Sequence, residues 1–478
     1  MAMSVDGLVS GLSTTDMVNQ LMQVEALPQT ALKNKVTAQN KAVTAYQDIN
    51  TKLAALTKAA KALESDDPWT AVKASTSSDA AIVTTTSSAS TGSLSFKVEQ
   101  LATTHTLTYN QDPTKWVSSP TDAAQHVISG STFDVVDTHG TPITLTPSDQ
   151  SLQAVINKIN ATPDLVYKAA AVQIEPGKYT LQLTAVASGF GGRFVTTPTV
   201  DLGTPDVVTN GDNARIRVGV TNPYAIESAT NTFTDVVSGV NVAVTKETGN
   251  DLVTVSMVAD KVGLTDKIQA MVDAANAALQ QIKTATAAKN GSTAAGALAG
   301  DPTLRALNQE ILSAVATGAG SVGSLAAVGI AVERGGTLSF NKDTFNTAYT
   351  ADPVKTRRYF NEYTQYTDGG GFGTPNVWEP GWDTAEGIAR KLSAIGLKAT
   401  EGVVLPNNPT ATREGIVTGL IKRRNESIAA LNDQVEAWDA RLATRRSALQ
   451  RQYSALEVAL GKLKDQQSWL SGQLAGLS

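Results

Sequence analysis

The chain has no cysteine and only three histidines among its 478 residues, and aromatic residues make up 5% of it. Without thiols there is no disulfide framework, no thiolate metal site and no cysteine nucleophile. No run of eighteen apolar residues occurs, so the sequence signal of a membrane-spanning helix is missing. Met1 to Ser13 carries no basic segment followed by an apolar core, and any export is expected to bypass the ordinary secretory signal. The formal charge of -5 gives no reason to expect nucleic acid or an anionic membrane as partner. The length allows several domains with a sizeable buried core.

Catalytic constellations are scarce as well. His105, His126 and His139 all fall in the middle of the chain. Asp134, Asp137 and His139 imitate a metal site, but their spacing matches no established ligand pattern and reads better as a polar turn. The Gly369 to Gly373 run lacks the Lys and Ser/Thr of a phosphate loop, and no GxSxG elbow is present. Asp66 and Asp67 sit before Pro68, where ending a helix accounts for them. The expectation is a protein that is not an enzyme, with no catalytic, cofactor-binding or metal site.

What the chain does have is a seven-residue apolar column: Ile421, Ile428, Val435, Leu442, Leu449, Leu456, Leu463, Leu470 and Leu477. Such a period keeps one stripe of a helix facing a neighbour along a seam. At 1.5 Å per residue the helix would reach roughly 85 Å, so it requires a partner. Beside it, Leu431 and Trp438 complete a 3/4 pattern, Arg445 and Gln452 interrupt it, and Tyr453, Leu460 and Leu474 resume it one position later. Arg441, Arg445, Arg446 and Arg451 lie in the interrupted stretch, and nearby Glu and Asp make a solvated coiled-coil face the better reading than a nucleic-acid stripe.

Helical signals also open the chain. Ser13 and Asp16 have capping-box spacing before a helix from about Thr14, with Met17, Val18, Leu21, Met22 and Val24 on its apolar side. Pro28 is expected to interrupt that pattern and to disfavour helical geometry at Leu27. A second helix carries Leu32, Val36, Val43, Tyr46, Ile49, Leu53, Leu56, Ala60 and Leu63 and ends near Asp66. From Trp69 the period changes to two. Strands are predicted at 81–86, 93–98, 132–136, 166–174, 179–185, 215–220, 241–244 and 253–258, with a short helix over 151–160. Helix returns at Lys261, whose Leu264, Ile268, Met271, Ala275, Leu279 and Ile282 mark another seam, and Asp301-Pro302 and Asp352-Pro353 read as N-caps followed by proline. The stretches 369–373 and 406–409 read as loops before the final helix, and no internal repeat is evident.

Five phrases in order resemble one family. GLVSGLSTTDMVNQLMQVEALPQTAL near the start, STGSLSFKVEQLA over 90–102, NTFTDVVSGVNVAV over 231–244, GTLSFNKDTFNTAYTADP over 336–353 and ALQRQYSALEVALGKLKDQQSWLSGQL at the end are similar to segments of the bacterial flagellar filament cap family, also called flagellar hook-associated protein 2. The ending is the most specific. Residues 110–210 carry no phrase of that family.

The resemblance implies an α+β protein in which both chain ends form a discontinuous helical coiled-coil stalk, with mainly antiparallel β head domains inserted between them. Its expected divisions are terminal leg segments 1–38 and 429–478, a stalk of 39–70 and 261–428, an inner β domain of 71–108 and 212–260, and an outer β domain of 109–211. It further implies export through the flagellar type III apparatus and a place outside the cell at the flagellar tip. The function implied is a ring-shaped homo-oligomer, a pentamer on the filament, that helps flagellin fold and polymerise and prevents its loss. Flagellin, the hook-filament junction protein and an export chaperone are the implied partners, with no nucleic acid and no membrane span. Contacts with the filament or within the coiled coil are assigned to Val18, Leu21, Met22, Ile428, Val435, Leu442, Leu449, Leu456, Leu463, Trp469, Leu470 and Leu474. In the free protein the two ends are expected to be loosely paired. Competing readings are another flagellar axial protein, a surface adhesin built on the Thr-rich β region and, last, a hydrolase.

Overall fold

The first helix spans Thr14–Glu25 and begins where its capping residues dictate: the Ser13 hydroxyl accepts from the Asp16 amide at 3.2 Å and donates to the Asp16 carboxylate at 2.6 Å. The computed structural model describes residues 13–366, 376–405 and 408–475. Residues 369–373 and Leu477, singled out above, lie outside them. The chain divides into two compact units, one built from residues 13–69 and 261–475 and the other from Thr70–Asp260.

In the first unit the second helix runs Leu27–Lys61. Leu27 is helical, contrary to the expectation from Pro28. The break falls instead at Ala26 (φ -82°, ψ -7°), and Pro28 occupies the first turn, where a missing N–H costs little. Tyr46, Ile49, Leu53, Leu56, Ala60 and Leu63 are fully buried against the helices Lys261–Thr286 and Ile388–Ala399. The seam residues Leu264, Ile268, Met271, Ala275, Leu279 and Ile282 all enter that core. Close approach of the second helix to Ile388–Ala399 depends on Gly396: a Cβ there would stand 2.0 Å from Thr57 Oγ1 and 3.2 Å from the Leu53 carbonyl. Asp301 caps the helix Pro302–Ala316 through the Thr303 and Leu304 amides and also accepts from the Tyr46 hydroxyl. Asp352 caps Pro353–Asn361 through the Lys355 amide, as the Asp-Pro signals predicted. The final helix is Ile416–Ala475, 60 residues and about 90 Å long. Its start is fixed in the bundle by Val417, which is fully buried.

The second unit is antiparallel β with one amphipathic helix, Leu152–Ala161. One core lies under a five-stranded sheet ordered Val72–Thr76, Val253–Ala259, Gly92–Gln100, Ala214–Val218, Tyr224–Ser228 and a three-stranded sheet ordered Thr232–Val237, Val240–Val244, Ala81–Thr85. Alternate residues Leu94, Phe96 and Val98 and their partners Val253 and Val255 face inward, the period of two expected of a half-buried strand. A separate core lies under the sheet Tyr167–Glu175, Lys178–Ser188, Thr104–Thr108, Asp206–Thr209 and the hairpin Phe133–Val136/Pro142–Leu145. Every strand named from the sequence corresponds to one of these. Several were not foreseen, among them Val72–Thr76, Thr104–Thr108 and Asp206–Thr209, because short Thr-rich or edge segments give little alternation.

Part of the loop expected at 406–409 is instead strand: Gly402–Leu405 pairs with Asn408–Glu414. Among the described residues no helix is long and apolar enough to cross a membrane.

Candidate functional site

The apolar column of the final helix finds its partner in the first two helices of the same chain, running antiparallel. Five hydrogen bonds, donated by four side chains, fix the alignment, each step back along the opening helices being matched by a step forward along the final one. Arg424 Nη1 donates to Gln39 Oε1 at 2.9 Å, and Gln29 Nε2 donates to Asp439 Oδ1 at 2.5 Å and to the Val435 carbonyl at 3.4 Å. Arg445 Nε donates to Glu25 Oε1 at 2.8 Å, and Arg446 Nη2 to Asn19 Oδ1 at 2.6 Å. Gln29 is buried, so its amide needs these acceptors, whereas the Arg445–Glu25 pair is half exposed and modest in strength.

Between the polar links the predicted contact residues take up three positions. Val18 and Leu449 are buried, and Met22, Ile428, Val435 and Leu442 are half-buried along the seam. Leu21 is 43% exposed and stands largely off it. Leu456, Leu463, Trp469 and Leu470 are between 49% and 66% exposed, because the first described helix ends its run alongside residues 446–454. Leu474 belongs to the helix by its backbone, and its side chain lies outside the described residues. The structure thus brings together Val18, Met22, Ile428, Val435, Leu442 and Leu449 and leaves Leu21, Leu456, Leu463, Trp469 and Leu470 exposed.

The polar links themselves were missed in the sequence. Arg445 and Arg446, on the face expected to be solvated, both cross to the opening helix, and Arg441 stays on its own helix, stacked over Trp438 at 4.6 Å. An antiparallel alignment of 14–40 on 424–450 would have placed acid and amide opposite guanidinium; without it, the charges carry no direction.

Electrostatics elsewhere are structural. Asp137 accepts from the His139 and Thr141 amides, both at 2.8 Å, which holds its carboxyl below the usual range, and Asp134 accepts from the Thr144 hydroxyl at 2.7 Å. Asp137 thus closes the hairpin turn, and Asp134 bonds across the hairpin to its paired residue. Among the described residues no three His, Asp or Glu side chains gather to hold a metal.

Two family models match the chain, one described as the N-terminus of flagellar hook-associated protein 2 over residues 10–105 and one as its C-terminus over residues 211–465. The B-type flagellar hook-associated protein 2 of Pseudomonas aeruginosa is 23% identical over 509 aligned positions, covering 98% of this chain and 97% of the relative. The lateral flagellar hook-associated protein 2 of Vibrio parahaemolyticus is 26% identical over 289 positions, 56% of this chain and 63% of the relative, so the match spans just under two thirds of that protein. Domains D1 to D3 of the flagellar cap protein FliD from Escherichia coli share the fold, with a TM-score of 0.57 at 21% identity over 80% of this chain and 99% of that one.

Proposed function

Because the chain belongs to the flagellar hook-associated protein 2 family, we propose that it caps the distal end of the bacterial flagellar filament. There it promotes flagellin folding and polymerisation and prevents loss of exported subunits. One observation carries the mechanism: the final helix keeps its seven-residue column beyond the end of its described partner, and Leu456, Leu463 and Leu470 remain exposed on it. A column of large apolar side chains in water is costly unless another surface covers it. In this reading the terminal segments 1–38 and 429–478 are legs, and helices at the filament end cover the exposed part of the column.

The chain acts as a structural protein with no catalytic step. Its partners are further copies of itself in a closed ring, a pentamer on the filament, together with flagellin, the hook-filament junction protein and an export chaperone. It is exported through the flagellar apparatus and works outside the cell at the filament tip.

A truncation ending at Ser454 tests the mechanism, since it keeps the seam through Leu449 and the whole bundle. In a strain without the full-length gene it should accumulate and melt as the intact protein does, yet leave the cells without filaments. Normal filaments from that truncation would overturn the proposed use of the column. Mass in solution and electron micrographs of the purified protein test the ring, and a protein that stays monomeric at every concentration contradicts it.

A further inference from the structure

We infer that Thr14–Glu25 is a latch: it opens as a unit about Ala26–Pro28, while the second helix stays seated on the final helix, and two arginines hold it shut. This goes beyond the capping role and does not depend on it.

Three features mark the segment off. Its backbone ladder to the second helix is thin: the Ala26 N–H reaches the Met22 carbonyl and the Ala26 carbonyl accepts from the Thr30 N–H, but Ala26 offers no side-chain cap and Pro28 has no N–H to add a bond at the break. Its apolar hold is small: Val18 is its only buried residue, and Val24 and Leu27, on either side of the break, are 65% and 63% exposed. At 12 residues it is also near the length, about 12–15, below which a helix is marginal without tertiary support.

What keeps it closed is polar and exposed. The Arg445–Glu25 ion pair and the Arg446–Asn19 hydrogen bond both reach from the final helix to the latch. The first link of the second helix is of another kind, since Gln29 is buried and donates to both Asp439 and Val435. The boundary between opening and staying shut therefore falls between Glu25 and Gln29. When the latch lifts, Leu449 loses its cover and joins Leu456, Leu463 and Leu470 in one longer exposed column. The closed latch masks the nearer part of that column, and salt should loosen it, since the Debye length falls from about 30 Å at 0.01 M to about 3 Å at 1 M.

Hydrogen exchange of the full chain tests this. In Arg445→Ala/Arg446→Ala, amides of 14–25 should exchange roughly two- to fivefold faster at low salt while those of 29–61 stay within experimental scatter. High salt should produce the same pattern in the unsubstituted protein. Pro28→Ala, which restores the missing N–H, should slow exchange in 14–25 toward the rate of 29–40. Two results overturn the latch: residues 14–25 and 29–40 exchanging at one rate and responding together, or 14–25 indifferent to both the arginine substitutions and salt.

Discussion

Arg445 and Glu25, 420 positions apart in the sequence, meet at 2.8 Å across two antiparallel helices. The contact lies at the point where the final helix's apolar pattern is interrupted, so the interruption is a cross-link between helices and not a gap in the seam.

A double-mutant cycle of Arg445→Ala and Glu25→Ala should give a coupling of about 0.2–1 kcal/mol at low ionic strength, as for other exposed pairs. It should shrink toward zero near 1 M salt. Chemical denaturation of the four proteins at two salt concentrations measures it, and a coupling that survives high salt contradicts the assignment.

The helical bundle depends on the small residue at Gly396. Gly396→Ala should cost about 1–3 kcal/mol, because its Cβ would sit 2.0 Å from Thr57 Oγ1. Thr57→Ala removes that oxygen and should return part of the loss when combined with it. Thermal melts of the single and double variants decide the matter; simple additivity would show that the crowding lies elsewhere.

Burial, reinforced by the hydrogen bond to Asp301, pushes the Tyr46 hydroxyl up to about 12. The folded state therefore favours the protonated phenol relative to the unfolded chain, whose tyrosine titrates near 10. This contribution is fully present below pH ~10 and is lost as pH rises through about 12. Tyr46→Phe should flatten the decline of the denaturation midpoint across that window, and an unchanged slope would show that Tyr46 does not contribute to it.

Leu463→Ser/Leu470→Ser alters two side chains that already face solvent. The melting temperature should stay within a few degrees, since exposed substitutions rarely move stability by more than about 0.5 kcal/mol. Filament assembly should fail. A large loss of stability with intact assembly would instead place these residues in the protein's own core.

The long helix and its column were legible because a period of seven survives any context, and the helical ends around an antiparallel β middle followed from the change in period at Trp69. Pro28 misled at Leu27, because proline in a first turn and proline breaking a helix look alike until the cap at Ala26 is seen. The links of Gln29, Glu25 and Asn19 to the final helix were not legible. Their register is set by distant anchors, Tyr46 and Val417 in the bundle, rather than by any local pattern. Strands such as Asp206–Thr209 escaped because pairing with Thr104–Thr108, about a hundred residues away, defines them.

Deletion of the gene tests the central claim most directly, with flagellin followed in cells and medium and filaments counted by electron microscopy. A filament cap predicts monomeric flagellin in the medium and no filaments, both reversed by the intact gene. Filaments of normal length without the gene, or an absence of flagellin from both medium and surface, would contradict it.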